Sequence, residues 1–227
     1  MQNPWRNFPE NSPFVLKIDE HFVEQYNASA KPEHKLQTSV MPTPYNGGLD
    51  AAKVVFLSLN PGYDILDNFR TEEYRKAIRE NLADPYGYDN FVYLDKNFSS
   101  LNVNGNIITD PGYEWWKKRT RWLIDRCGEI KGRFMALEWF PYASKEFKKP
   151  KEIFPSQRFT FDLVREAIRR GKLIVIFRGR SNWFDSVPEL EKYDNLLKLS
   201  SNQNICVSPG NLKDNGFEKI VAAMNRD

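Results

Sequence analysis

Hydrophobic positions along the chain follow two rhythms in turn. Residues 53–59 (KVVFLSL) are an almost unbroken apolar run that stops at Asn60-Pro61-Gly62. Such a run is buried on both faces, as a central strand of a parallel sheet must be. Residues 133–139 (RFMALEW) and 172–177 (KLIVIF) repeat it, and shorter runs at 196–199 and 205–207 predict a further strand and an edge. Between these runs the period becomes helical. Residues 71–82 have Thr71 as a cap with Glu72 and Glu73 in the first turn. Residues 113–127 set Trp116, Thr120, Leu123 and Cys127 on one stripe. Phe159, Leu163, Val164, Ala167 and Ile168 mark a helix closed by Gly171. A short helix near Ser181 and a closing helix from about Asp214 complete the pattern. Strands alternating with helices predict an α/β fold, a three-layer α/β/α domain with a central, mainly parallel sheet.

Residues 1–49 are rich in Pro, Asn and Ser, and predict an N-terminal appendage packed on a core domain of residues 50–227. In the appendage Asp19 is placed to cap a helix with Phe22, Val23 and Tyr26 on one face. Residues 41–49 (MPTPYNGGL) read as punctuation between elements. Residues 83–111, dense in Asp, Asn, Gly and Tyr, read as a long loop, a length that points to function or partial disorder.

Composition narrows the function classes. With 41 % hydrophobic and 28 % charged residues in a chain of 227, wholesale disorder is excluded. A chain of this size buries about 70 % of its unfolded surface and needs no metal or disulfide staple. The net charge of +3 is too mild to argue for nucleic acid by itself. Cys127 and Cys206 stand far apart, as suits a reducing cytoplasm. Both histidines, His21 and His34, lie in the N-terminal arm. A Ser-His-Asp triad or a His/Cys zinc site would have to recruit from there, so neither metal nor cofactor is expected. No leader pattern and no run of roughly 20 apolar residues is present. The expectation is a cytoplasmic protein, monomeric by default, with no membrane partner.

In open parallel sheets ligands bind beyond the carboxyl ends of the strands, and here those exits carry the unusual chemistry. The first gives Asn60-Pro61-Gly62-Tyr63-Asp64, where the Asn60 amide would point into a site or close an ordinary turn. Tyr63 would offer a stacking face or pack on the turn, and Asp64 a carboxylate or a cap. The second gives Glu138-Trp139-Phe140-Pro141-Tyr142. Glu138 ends a buried strand, as an acid-base group or as the ion-pair partner of Arg178 or Arg180. Trp139, Phe140 and Tyr142 would stack a planar ligand or pack the core. The third gives Arg178-Gly179-Arg180, and the last edge Ser208-Pro209-Gly210-Asn211-Leu212. The middle of the chain, residues 113–180, is rich in Lys and Arg interleaved with Trp115, Trp116 and Trp122, a composition that suits phosphate contacts and base stacking or a solvated helix face.

The order of these motifs resembles the uracil-DNA glycosylase superfamily. Ser58-Leu59-Asn60-Pro61-Gly62 is similar to the first motif of that family, and Cys206-Val207-Ser208-Pro209 to the late one, with Phe140-Pro141-Tyr142 between them. The resemblance covers roughly residue 41 to the end of the chain. It implies DNA as partner, a base flipped out of the stack and hydrolysis of its N-glycosidic bond. Asn60 would position the water, Tyr63 or Phe140 would stack on the base, and Ser208 would hold a phosphate. Asn211-Leu212 would lie at the wedge. The sequence departs from the family in having Cys206 or Val207 where a histidine stands, Ser58 for the usual glycine, and Glu138 where an asparagine would read a pyrimidine. Two other readings accompany the hydrolase: a non-catalytic module binding nucleic acid or nucleotide, and a nucleotide-processing enzyme in which Arg178 and Arg180 clamp a phosphate.

Overall fold

The computed structural model describes residues 2–201, 203 and 205–226. The apolar runs become the strands β2 (Val54–Ser58), β5 (Phe134–Glu138) and β6 (Leu173–Ile176), within two residues of the predicted limits. They join β1 (Tyr45–Asn46) and β7 (Leu196–Leu197) in one sheet of order β1-β5-β2-β6-β7. All neighbours are parallel except β1, which runs antiparallel to β5. The chain lays down β2, places β5 on one side of it, then crosses to put β6 and β7 on the other. The carboxyl ends of β2 and β6 therefore flank the point where strand order reverses, the usual place for a ligand in such a sheet.

Both faces of the sheet are covered. On one, Val55 and Leu57 of β2 and Met135 and Leu137 of β5 share a core with α2 (Glu72–Ala83), α4 (Gln157–Arg169) and Trp183 of α5 (Arg180–Ser186). On the other, Val54, Phe56, Phe134 and Ala136 pack with α3 (Pro111–Cys127) and α6 (Gly216–Met224). This split follows from the two-residue period of a strand. Thr71 caps α2 by accepting from the Tyr74 amide, and Asp110 caps α3 by accepting from Tyr113.

Four sequence expectations change. Residues 41–49 are not only punctuation, because Tyr45–Asn46 pairs with β5 at the sheet edge. Gly47 makes this approach possible: at φ +89° it passes so close that a Cβ would lie 2.5 Å from the Phe134 carbonyl. The stretch 83–111 is not one loop. It holds two short 3-10 turns and a hairpin of β3 (Ser100–Val103) and β4 (Asn106–Thr109), turned by Asn104-Gly105 at positive φ. Asp19 precedes α1 (Glu20–Ser29) without capping it, because its buried carboxylate accepts from the Tyr142 hydroxyl at 2.8 Å and the Ser156 amide at 3.1 Å. The described residues of 205–207 form no strand, and Val207 instead donates to the Arg119 carbonyl. The N-terminal segment contributes Trp5, Phe8, Phe14, Val15, Leu16 and Val23 to the same core as β2.

Candidate functional site

The loops leaving β2 and β5 run together. Trp139 donates to the Ser58 carbonyl and Phe140 to that of Leu59, which carries the sheet pairing past the strand ends. Ser144 then closes the Asn-Pro-Gly turn: it bridges to Gly62, accepts from the Tyr63 amide through its carbonyl, and accepts from Asn60 Nδ2 through Oγ at 3.2 Å. Asn60 Nδ2 also donates to the Pro61 carbonyl at 2.9 Å. Both donations hold the amide in one orientation and leave Oδ1 without a protein donor among the described residues. Asp64 caps the turn of residues 65–69 in a reciprocal box with Asp67, and the Tyr63 hydroxyl accepts from Asn68. The capping alternative for Asp64 is the one realised.

Ser58 and Glu138 face each other as a registered pair on the α3 side of the sheet. Here the hydrophobic pattern requires an apolar residue and the sequence supplies a carboxyl group. Burial pushes the Glu138 pKa up from 4.5 to about 8; the Ser58 hydroxyl and the Arg178 charge pull it down without overcoming that burial. Oε2 is shielded from solvent and has no hydrogen-bond partner. Near neutral pH this is an acid that keeps its proton, with Ser58 beside it and one carboxyl oxygen left without a partner. Such a group is a marker of functional sites.

No family model, curated protein or solved structure matches this chain. The site is therefore read from its own chemistry. Arg178 is exposed beyond β6 and forms no ion pair among the described residues, so the structural pair with Glu138 at contact distance is not made. Together with Arg180, Lys198, Leu59, Phe177 and Gln203, Arg178 lines a cleft of about 530 Å³ at the ends of β2, β6 and β7. On the α3 side, the Arg119 guanidinium lies 4.3 Å over the Trp115 ring, and its Nε is buried without a partner. Burial and the like charge of Arg178 lower its pKa.

Other predicted site residues serve the core. Phe140 is 1 % exposed, with its ring against Phe154 at 5.0 Å and Tyr142 at 6.0 Å, so it offers no stacking face. Tyr142, equally buried, spends its hydroxyl on Asp19. The Trp139 indole N–H donates to Asn182 and Ser186. Leu212 is 5 % exposed and packs beneath α6, because residues 198–200 pair with 211–213 and turn it inward. It is not an exposed wedge. The Asn211 side chain accepts from the Ser201 amide and donates to the Cys206 carbonyl, pinning the loop. Ser208 accepts from the Asn211 and Leu212 amides through its carbonyl.

The structure thus gathers Asn60, Ser58, Glu138 and Arg178 at adjacent strand exits. Arg119 and Trp115 were legible only as an i, i+4 pair on a basic helix. Nothing in the sequence marked Lys198 or Ser144. Among the described residues, no group of three His, Cys, Asp or Glu side chains converges as a metal site, and no helix is long and apolar enough to cross a membrane.

Proposed function

We propose that this protein hydrolyses the N-glycosidic bond of a modified or deaminated base in DNA, with Glu138 as general acid and Asn60 positioning the water. The observation that carries the reading is the buried Glu138 carboxyl, raised to about 8 with Oε2 unpartnered, beside a turn whose asparagine is held with Oδ1 open. The sheet order, with its ligand crevice at the β2 and β6 exits, is compatible with the three-layer uracil-DNA glycosylase-like fold that the motif order resembles. In this scheme the C1′–N bond breaks as the base leaves with the Glu138 proton. The water held by Asn60 Oδ1 adds to C1′ and releases a proton to solvent, from which Glu138 is recharged. A buried carboxylic acid with a pKa near the working pH is well matched to this task, and it fills the role left open where the sequence lacks a histidine. A fixed amide contributes orientation rather than basicity.

The test is incubation with oligonucleotides carrying uracil, hypoxanthine, xanthine or alkylated bases, followed by alkaline cleavage. Strand breaks that fall as pH rises through about 8, and that Glu138→Gln and Asn60→Ala abolish, support the hydrolase. Unchanged release in both variants refutes these roles. A second reading, a module that binds without cleaving, is favoured by the absence of histidine from the chain segments that leave β2, β5 and β6. Both histidines belong to the N-terminal arm: His21 pairs with Gln25, and His34 reaches the Glu146 carbonyl in the loop after β5. It predicts salt-sensitive DNA binding and no breaks with any of these bases.

A further inference from the structure

The cleft beyond β6 and β7 has a chemistry that base hydrolysis does not require. Among its described lining residues three are cations, Arg178, Arg180 and Lys198, and none is a carboxylate. Among the described residues these three form no ion pair. Arg180 only rests its guanidinium 5.1 Å over the Phe184 ring. Elsewhere some arginines are paired, Arg79 with Glu72, Arg165 with Asp162 and Glu189, and Arg169 with Glu166, whereas the exposed Arg6, Arg121, Arg126, Arg158 and Arg226 form no ion pair among the described residues. The adjoining cleft of about 380 Å³ shares Arg180 and Lys198 but mixes Glu191, Asp194 and Asp214 with Lys192, Lys213 and Lys219. Of these two adjoining clefts, the first is thus the one with no carboxylate among its described lining residues.

Its backbone is built for the same end. Gly179 adopts φ +70° between the two arginines, and a Cβ there would lie 2.6 Å from Leu59 Cδ1. The chain must therefore turn tightly against the β2 exit, and this brings Arg178 and Arg180 to the rim of one hollow. A volume of about 530 Å³ falls within the range of small-ligand sites. Leu59, Phe177 and Leu199 give it an apolar wall beside the cations. A phosphodiester carries one negative charge and a terminal phosphate close to two near pH 7. Two arginine forks and a lysine, none of them in an ion pair among the described residues, match the second better.

We propose that this cleft receives a terminal phosphate monoester, carried by a free nucleotide or by the end of a nucleic-acid strand. The inference stands on the cleft's own lining and does not depend on bond cleavage at Glu138.

The test is titration calorimetry of the full chain with inorganic phosphate, a deoxynucleoside 5′-monophosphate and its nucleoside, and matched oligonucleotides ending in 5′-phosphate, 3′-phosphate or hydroxyl only. The expected result is saturable binding of the monophosphate at least tenfold tighter than that of the nucleoside. The doubly substituted Arg180→Ala/Lys198→Ala chain, altered only at exposed positions, should lose that preference while keeping its thermal midpoint. A strand-end source shows as a preference for a phosphorylated oligonucleotide over its hydroxyl counterpart, and a nucleotide source as a preference for the monophosphate over every oligonucleotide. Equal binding of phosphorylated and hydroxyl forms throughout, or a preference that survives in the double variant, overturns the proposal. Base release with no phosphate preference would overturn it while leaving the hydrolase reading intact.

Discussion

Glu138→Gln has nearly the shape of the protonated acid and cannot ionise, so it isolates the free energy of placing a charge at the β5 exit. Burial raises the carboxyl from 4.5 to about 8. For an acid whose folded pKa lies above its unfolded one, the native state binds more protons across that window, and stability must fall as pH rises through it. At 1.36 kcal/mol per pKa unit the full loss is about 5 kcal/mol, a ceiling because the residue retains some contact with water. That is a large part of the roughly 5–15 kcal/mol that holds a domain folded. Below about pH 4.5 both forms are neutral, and the variant should match the parent within about 1 kcal/mol. Above about pH 8 the parent carries the buried charge and the variant does not, so Glu138→Gln should be the more stable by several kcal/mol. Urea unfolding at intervals from pH 5 to 9, with equal m-values as the check on two-state behaviour, measures this difference. Parallel stability curves for the two proteins across that range would show that the carboxyl is not held protonated, and the general-acid assignment would fall with it.

Three further substitutions separate packing from recognition. Leu212→Ala should cost about 2–5 kcal/mol in urea unfolding, as a buried truncation does, with DNA affinity of the folded fraction unchanged; lost affinity at full stability would restore a wedge role. Tyr142→Phe removes one of the donors to Asp19 and should lower stability by about 1–3 kcal/mol, read as a drop in thermal midpoint; no drop would mean that the carboxylate is satisfied without it. Asn81→Ala strips the partners from both the amide and the carbonyl of Gly47, which it engages at 3.0 Å each. It should cost about 2 kcal/mol or more, with hydrogen exchange fastest at Tyr45–Asn46, and uniform exchange would argue against a local anchor.

What the sequence made legible was what depends on neighbours a few residues away. The runs at β2, β5 and β6 are apolar on both faces because the sheet is covered on both, and α2 carries its own cap and charge pattern. What stayed hidden depends on distant partners. Proline-flanked Tyr45–Asn46 becomes a strand because Asn81 and the Phe134 carbonyl shape the chain around Gly47. The hairpin did leave a local signal in Asn104-Gly105, masked by the polar residues around it. In the site, Glu138 stood out as a carboxyl ending an apolar strand, a conflict between pattern and residue that sequence displays directly. The aromatic residues beyond it gave no such contrast, since a tyrosine aimed at Asp19 and one aimed at a ligand are spelled alike. Leu212 turned inward through a pairing between residues 198–200 and 211–213 that periodicity does not encode.

The Ser58–Glu138 pairing makes the chemistry of the β5 exit hostage to counting. Side chains alternate along a strand, so sliding β5 by one residue against β2 would swing the carboxyl into the opposite core and bring the Trp139 indole to the α3 side. A single deletion anywhere in 134–137 would thus set the Trp139 ring opposite Ser58, and a single insertion would set Leu137 there, while leaving Glu138 in the chain. In these four positions a change of length would abolish the acid without mutating it.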